Sequence, residues 1–139
     1  IIAGIIQHAA YFKERVEPFI DGDQVVFLGH AGPEKRKELL GNAIALLHPI
    51  YFNEPFGLSV AESMCCGTPV IAYNRGSMPE LIENGISGFL VNDLEEAVDA
   101  VNIVQKINRR KCYEYATVKF SYDVMIDKYI KAYESILKR

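Results

Sequence analysis

Two glutamates, Glu54 and Glu62, flank a short turn that leads into a predicted helix. Pro55 suits such a turn, and Gly57 lets the backbone approach a ligand closely. The first N–H groups of the helix lack intrahelical partners and therefore favour an anion such as phosphate. Carboxylates repel phosphate, but they accept hydrogen bonds from vicinal hydroxyl groups. The pattern indicates a diphosphate flanked by two diols, as in a nucleotide sugar.

A simpler interpretation of the same pair needs no ligand. Glu54 would interact only with the dipole of the helix, and Glu62 would be a solvated side chain on its surface. On these two residues alone, both interpretations stay open.

Short, continuous apolar runs lie before and after the glutamate pair, and segments of helical periodicity separate them. Such runs are typical of parallel strands that are buried on both faces. The alternation predicts an α/β fold with a Rossmann-like, doubly wound parallel sheet, and it places the Glu54 turn at the carboxyl edge, where such sheets bind ligands. The predicted strands are Val25–Leu28, Ile44–Leu47, Val70–Tyr73 and Gly88–Val91, and the predicted helices cover about 7–17, 33–42, 57–66, 78–84 and 94–107.

Composition narrows the class of protein further. The chain has 139 residues, with 15 basic and 18 acidic side chains and a formal net charge of -3. This length predicts one domain over residues 1–139, and the charge gives no reason to expect nucleic acid as a partner. Three cysteines, two of them adjacent, fit neither a metal site nor a disulfide framework. They favour a cytoplasmic location, with peripheral association of a longer protein with a membrane left open.

The sequence around the glutamate pair closely resembles the donor-binding, carboxyl-terminal half of retaining glycosyltransferases of the GT-B fold, in the group called family 4. The resemblance rests on Asn53–Leu58 followed by Ala61–Ala72. Further matching segments are Phe27–Gly29, Arg75–Ile82 and Asn84–Val91, so that it spans nearly the whole chain. It implies a hexosyltransferase that moves a sugar from a nucleoside diphosphate sugar with retention at the anomeric carbon.

The resemblance also implies a role for each matching residue. Glu54, the candidate catalytic residue, would bind hydroxyl groups of the transferred sugar, and Glu62 would bind the ribose diol. The backbone N–H groups that would face the sugar and the diphosphate belong to Phe56, Gly57, Leu58 and Ser59. The base would be held largely by backbone groups of His30 and Ala31. No metal ion and no cofactor would be needed, because the nucleotide sugar is itself the substrate.

Members of this family carry an Arg and a Lys for the diphosphate upstream of the strand that here begins at Ile1, and an acceptor-binding domain before that. Neither lies within these 139 residues. We therefore expect a fragment truncated at its N-terminus that is inactive alone. Its partners would be the nucleotide sugar, its own N-terminal domain and an unknown acceptor, which could be a glycan, a lipid or a small molecule.

Two other functions stay open beside this one. A non-catalytic module that binds nucleotide sugars would keep the fold but lose one carboxylate or the Gly67–Pro69 turn. Another GT-B enzyme, such as a sugar-nucleotide epimerase or a phosphorylase, would not show the Glu-x7-Glu context. This chain has both glutamates of the Glu-x7-Glu pair, and it also has the Gly67–Pro69 turn.

Three further features call for a structural interpretation. Arg75, on a strand-to-helix loop, is a weaker candidate for contact with phosphate or acceptor, and His48 is interpreted as a structural residue. Ser121 is a predicted N-cap for an amphipathic helix of about 17 residues. We expect the apolar stripe of this helix to pack in the core, with packing against an absent domain as the alternative. The stripe consists of Tyr122, Met125, Ile126, Tyr129, Tyr133, Ile136 and Leu137.

Overall fold

The computed structural model describes residues 1–138. Over these residues it contains five short strands and seven α-helices. The chain divides into two compact units, Ile1–Glu38 and Leu39–Arg139. The single domain expected over residues 1–139 stays a prediction, because this division does not show whether either unit folds alone.

The first unit is a small βαβ arrangement in which no side chain is fully buried. The ring centroids of Phe12 and Phe27 lie 4.8 Å apart, which packs the helix against the second strand. His8 caps the helix, because its Nδ1 accepts a hydrogen bond from the N–H of Tyr11 at 3.1 Å. The elements are β1 (Ile2–Ala3), α1 (Ala9–Arg15), a 3₁₀ turn (Glu17–Phe19) and β2 (Phe27–Gly29), with β1 parallel to β2.

Helix α2 (Pro33–Asn42) begins in the first unit and ends in the second, with the bounds that the periodicity predicts. The second unit contains a three-stranded parallel sheet in the order β3 (Leu46–His48), β4 (Val70–Tyr73), β5 (Gly88–Val91). All four residues of the central strand β4 are buried. Because the strands are parallel, their carboxyl ends lie at one edge, and the loops that follow them are neighbours.

Helices pack on this sheet and form the core of the second unit. The most deeply buried apolar side chains include Val60, Met64, Val70, Val104 and Cys112, none more than 1% exposed. The helices are α3 (Leu58–Cys65), α4 (Met78–Leu81), α5 (Leu94–Ile103), α6 (Arg109–Phe120) and α7 (Tyr122–Leu137), with a 3₁₀ turn at Val104–Lys106.

Helix α6 has no counterpart among the helices that the sequence predicts. Only Cys112 and Ala116 of this helix are buried, one turn apart, and much of the rest is charged or polar. Two small residues do not make the wide apolar stripe by which an amphipathic helix is recognised. Asn108 is the N-cap of this helix, and its Oδ1 accepts hydrogen bonds from the N–H groups of Arg110 and Lys111 at 3.0 and 3.1 Å.

Helix α7 confirms one prediction and corrects another. Ser121 is its N-cap, since the Ser121 Oγ accepts from the N–H of Val124 at 3.3 Å. The expected core packing of its apolar stripe is wrong, because no residue of α7 is buried and Tyr133 and Leu137 are 62% and 85% exposed. Periodicity identifies an apolar face but not the surface that covers it. Within residues 1–138, no helix combines the length and apolar character needed to cross a membrane.

Candidate functional site

The Glu54 turn leaves the carboxyl end of β3 and enters α3 through a glycine. Gly57 has φ +91°, a conformation that L side chains rarely adopt. A Cβ at this position would also lie 2.8 Å from Cε of Met78. The backbone conformation therefore favours glycine at this position, and the flexible Met78 side chain packs directly against it.

The start of α3 is open to an anion. Val60 is the first residue whose N–H bonds back along the helix, to the carbonyl of Gly57 at 3.0 Å. The N–H groups of Leu58 and Ser59 precede it, where a helix leaves its donors unpaired and its dipole is positive. The side chain of Leu58 is 71% exposed, so this end of the helix lies at the surface.

The two glutamates lie on either side of this helix start, within the second unit. Glu54 is half-buried in the turn, and Glu62 is half-buried one turn inside α3. The structure thus keeps Glu54, Phe56, Gly57, Leu58, Ser59 and Glu62 on one continuous segment of one unit.

His48, the last residue of β3, is buried next to the Glu54 turn. Burial holds the pKa of His48 below its usual value of 6.5, while the nearby negative charge of Glu54 acts in the opposite direction. Within residues 1–138, the buried Nε2 of His48 has no hydrogen-bond partner. The side chain is therefore a neutral, buried imidazole beside the candidate sugar-binding carboxylate.

The loop that follows β4 contacts the Glu54 turn through its backbone and side chains. Ser77 donates its N–H to the carbonyl of Glu54 at 3.0 Å and its Oγ–H to the carbonyl of Phe56 at 2.7 Å. Arg75 donates from Nη1 to the carbonyl of Tyr51 at 3.1 Å, and its guanidinium lies 5.5 Å from the centroid of the Tyr51 ring. The guanidinium proposed from the sequence for phosphate or acceptor is thus already engaged with the protein.

Sequence reasoning missed the role of Ser77 altogether. The Arg75–Ile82 segment contributes to the family resemblance, but nothing in its pattern shows which carbonyl a serine contacts. The only available signal is topological, because loops after neighbouring parallel strands meet at one edge of the sheet.

The residues predicted to hold the base belong to the first unit. His30 is exposed and Ala31 is half-buried, and both directly follow β2. The strand ends at Gly29, whose φ is +67° and whose carbonyl accepts from the N–H of Gly4 at 2.8 Å.

The turn at Gly67–Pro69 is held by a residue that the sequence did not single out. Arg109 donates to Oγ1 of Thr68 and to the carbonyl of Gly41, each at 2.7 Å, and also to the carbonyl of Ala43. A Cβ at Gly67 would lie 2.9 Å from the carbonyl oxygen of Arg109. This turn therefore connects the end of α3 to the start of α6 within the second unit.

The cysteines are free thiols in or near the core. Burial raises the pKa of Cys65, and it raises the pKa of Cys112 to about 11. Both thiols are therefore protonated at neutral pH. Within the described part of the chain, no cluster of three or more His, Cys, Asp or Glu side chains could hold a metal ion.

Comparison with known proteins gives a consistent set of matches. A family model described as "Glycosyl transferases group 1" matches residues 1–119. A D-inositol 3-phosphate glycosyltransferase of Corynebacterium jeikeium is 34% identical over 119 residues, which are 81% of this chain and 28% of that protein. A 41.2 kDa protein in the cps region of Klebsiella pneumoniae is 34% identical over 123 residues, 84% of this chain and 34% of that protein. The chain thus spans about a third or less of the length of these curated relatives.

A solved structure extends the match to the fold. The crystal structure of Anabaena Alr3699/HepE in complex with UDP-glucose has a TM-score of 0.79 at 23% sequence identity, and it covers 96% of this chain and 40% of that one. The likeness confirms the predicted Rossmann-like α/β class.

Proposed function

This chain belongs to the glycosyl transferases group 1 family, and on that premise we propose that it is the donor-binding part of a retaining glycosyltransferase. It binds a nucleoside diphosphate sugar, from which the longer protein transfers the sugar to an acceptor. The observation that carries the proposal is the start of α3 at Gly57, where the N–H groups of Leu58 and Ser59 precede the first helical hydrogen bond, with Glu54 before it in the chain and Glu62 one turn inside the helix. An anion with a diol on either side matches that arrangement.

The diphosphate lies at the start of α3 in this proposal. The N–H groups of Leu58 and Ser59, with the positive end of the helix dipole, stabilise its negative charge. When the bond between the anomeric carbon and the diphosphate oxygen breaks, the bonding electrons leave with the diphosphate. The same fixed dipoles then stabilise the charge that builds up there, without reorganising during the reaction. The acceptor hydroxyl oxygen forms the new glycosidic bond on the same face of the sugar, since the configuration is retained, and its proton passes to the departing diphosphate oxygen.

The carboxylates bind the two sugars. Glu54 accepts hydrogen bonds from hydroxyl groups of the transferred sugar, and Glu62 accepts them from the ribose diol. A carboxylate suits this task because it accepts from two hydroxyl groups at once, and charge-assisted bonds are stronger than neutral ones. The backbone of His30 and Ala31 binds the base in this proposal, which leaves the identity of the base open to experiment. The Anabaena protein was crystallised with UDP-glucose, so uridine diphosphate donors are tested first.

Calorimetry on the chain and its variants tests this assignment. The ligands are UDP, GDP and ADP, each free and as its glucose ester. We expect Glu62→Ala to weaken the binding of the free nucleotide and of the sugar nucleotide alike. Each dissociation constant should rise about tenfold to a hundredfold, because a hydrogen bond to a charged group is lost. Glu54→Ala should weaken the binding of the sugar nucleotide only.

The matched control is Glu80→Ala, which removes an exposed carboxylate from the first turn of α4. It should leave both affinities unchanged. Unchanged binding of free nucleotide by Glu62→Ala would overturn the assignment. Donor binding by the longer protein without any sugar transfer would instead identify a non-catalytic binding module.

A further inference from the structure

We infer that the segment Arg75–Met78, which follows β4, positions the Glu54 turn, and that Arg75 and Ser77 thereby determine recognition of the sugar part of the donor. The inference rests on the proposed function, because it concerns the carboxylate assigned to the transferred sugar. Arg75 and Ser77 are positioning residues, since they act through the turn rather than through contact with the donor.

Ser77 holds the middle of the turn. Its N–H and its Oγ–H bond the carbonyls of Glu54 and Phe56, and its side chain is only 9% exposed. These two carbonyls belong to the residues on either side of Pro55, which has no N–H of its own to donate. One serine therefore fixes the peptide group before the proline and the peptide group between Phe56 and Gly57.

Gly76 brings the two backbones into contact. A Cβ built on Gly76 would lie 2.6 Å from both the nitrogen and the carbonyl oxygen of Glu54. The residue also has φ +55°, which is strained for any other amino acid. The segment can reach the Glu54 peptide only because no side chain stands between them.

Arg75 holds the beginning of the turn. Its guanidinium donates a hydrogen bond to the carbonyl of Tyr51 at 3.1 Å. It also lies 5.5 Å from the centroid of the Tyr51 ring, a distance typical of a cation–π contact. The Tyr51 hydroxyl lies 3.4 Å from that of Tyr73, the last residue of β4, and the two ring centroids lie 4.8 Å apart. The turn is therefore attached before and after Glu54 to the same neighbouring strand and loop.

Glu62 lies outside the turn that these contacts hold. It lies inside α3, where its carbonyl accepts from the N–H of Cys66 at 3.1 Å, and the helix itself fixes its backbone. Loss of the Arg75 or Ser77 contacts should therefore move Glu54 and leave Glu62 in place. Recognition of the sugar and recognition of the nucleotide become separable, which a general loss of folding would not produce.

Calorimetry with UDP and UDP-glucose, or with the base that the wild-type chain prefers, measures this separation. We expect Arg75→Gln and Ser77→Ala each to lower the affinity for the sugar nucleotide about fivefold to tenfold. The affinity for the free nucleotide should fall less than twofold. Arg75→Lys keeps a cation and a donor, so it should recover part of the loss. The matched control is Arg110→Gln on α6, whose guanidinium pairs with Glu114 at 2.9 Å and whose loss should change neither affinity.

Three outcomes would contradict the inference. If both affinities fall together, the segment has only a structural role, and if neither falls, it does not position Glu54. In both cases the wild-type chain binds its donor, so the proposed function survives. A wild-type chain that binds none of the nucleotides or sugar nucleotides contradicts the proposed function first, and the positioning role fails with it.

Discussion

The two loops predicted to bind the donor are supported in very different ways. The turn that contains Glu54 is hydrogen-bonded by Ser77 and precedes a helix with four buried residues. The loop of His30 and Ala31 follows a three-residue strand, in a unit where no side chain is fully buried. The Glu54 turn is fixed by packing and hydrogen bonds, whereas the loop of His30 and Ala31 has few such restraints among its described contacts.

This difference suits the two kinds of recognition that we propose. A carboxylate that selects particular sugar hydroxyls must be held accurately, which favours a turn attached to a rigid scaffold. Backbone groups that bind a base need no particular side chain and tolerate a less densely packed support. The more tightly held loop is also the one with the more recognisable sequence.

Truncation of the core of the second unit should have the largest effect. Met64 lies on α3 with no exposed surface, so Met64→Ala should lower the free energy of unfolding by about 3 kcal/mol, through lost burial and the cavity left behind. Phe12→Ala, its counterpart in the first unit, should cost only about 1–2 kcal/mol, because the ring is half-exposed. Urea unfolding of both variants measures the difference. Equal losses would mean that the two units are packed alike.

Adding a methyl group to a glycine tests the two loops directly. Gly76→Ala should cost about 2–3 kcal/mol and disturb the Glu54 turn, because it combines a positive φ with a collision against the Glu54 backbone. Gly29, just before His30, has a similar φ of +67°, but the space around a new methyl group there is open. Gly29→Ala should therefore lower the free energy of unfolding by only about 1 kcal/mol. Thermal unfolding of the two variants gives the comparison. A Gly29→Ala loss as large as that of Gly76→Ala would show that the His30 loop is just as constrained.

The smallest expected effect is a pH dependence that comes from His48. Its pKa is lower in the folded chain than in the unfolded chain, so the unfolded chain binds a proton more readily. Stability from this group is fully present above about pH 6.5 and is lost as the pH falls below that value. Unfolding measured from pH 8 to pH 5 should show a shallower decline in His48→Gln than in the wild type. His30→Gln, which changes an exposed histidine, is the control, and an identical decline in all three proteins would contradict the prediction.

The sequence predicts the sheet best where the strands are most buried. β4 and β5 begin and end where the apolar runs do, because a strand enclosed on both faces is apolar along its whole length. The observed bounds of β2 and β3 differ by up to two residues from those of the apolar runs that predict them. These strands are less enclosed, since Leu28 and Leu47 are 42% and 59% exposed. The cap at Ser121 was also predictable, because the serine directly precedes the stripe that it caps.

Contacts between distant segments could not be predicted in this way. The bonds from Ser77 to the Glu54 turn depend on how two loops meet, and a serine has no spacing rule that reveals its partner. The same holds for Arg109, whose partners lie more than 40 residues away. On α7 the pattern showed an apolar face, but burial depends on what faces the helix, which periodicity does not contain.

The Arg109 contacts also bear on the order in which the chain acquires its structure. Arg109 bonds carbonyls that lie 66 and 68 residues earlier, at Ala43 and Gly41. At ribosomal rates of about 5–20 residues per second, those carbonyls are synthesised roughly 3–14 seconds before their partner exists. The segment that opens the second unit is therefore completed late, by the first residue of α6. A nascent chain stalled before α6 should lack this closure, however fully its first strands have emerged.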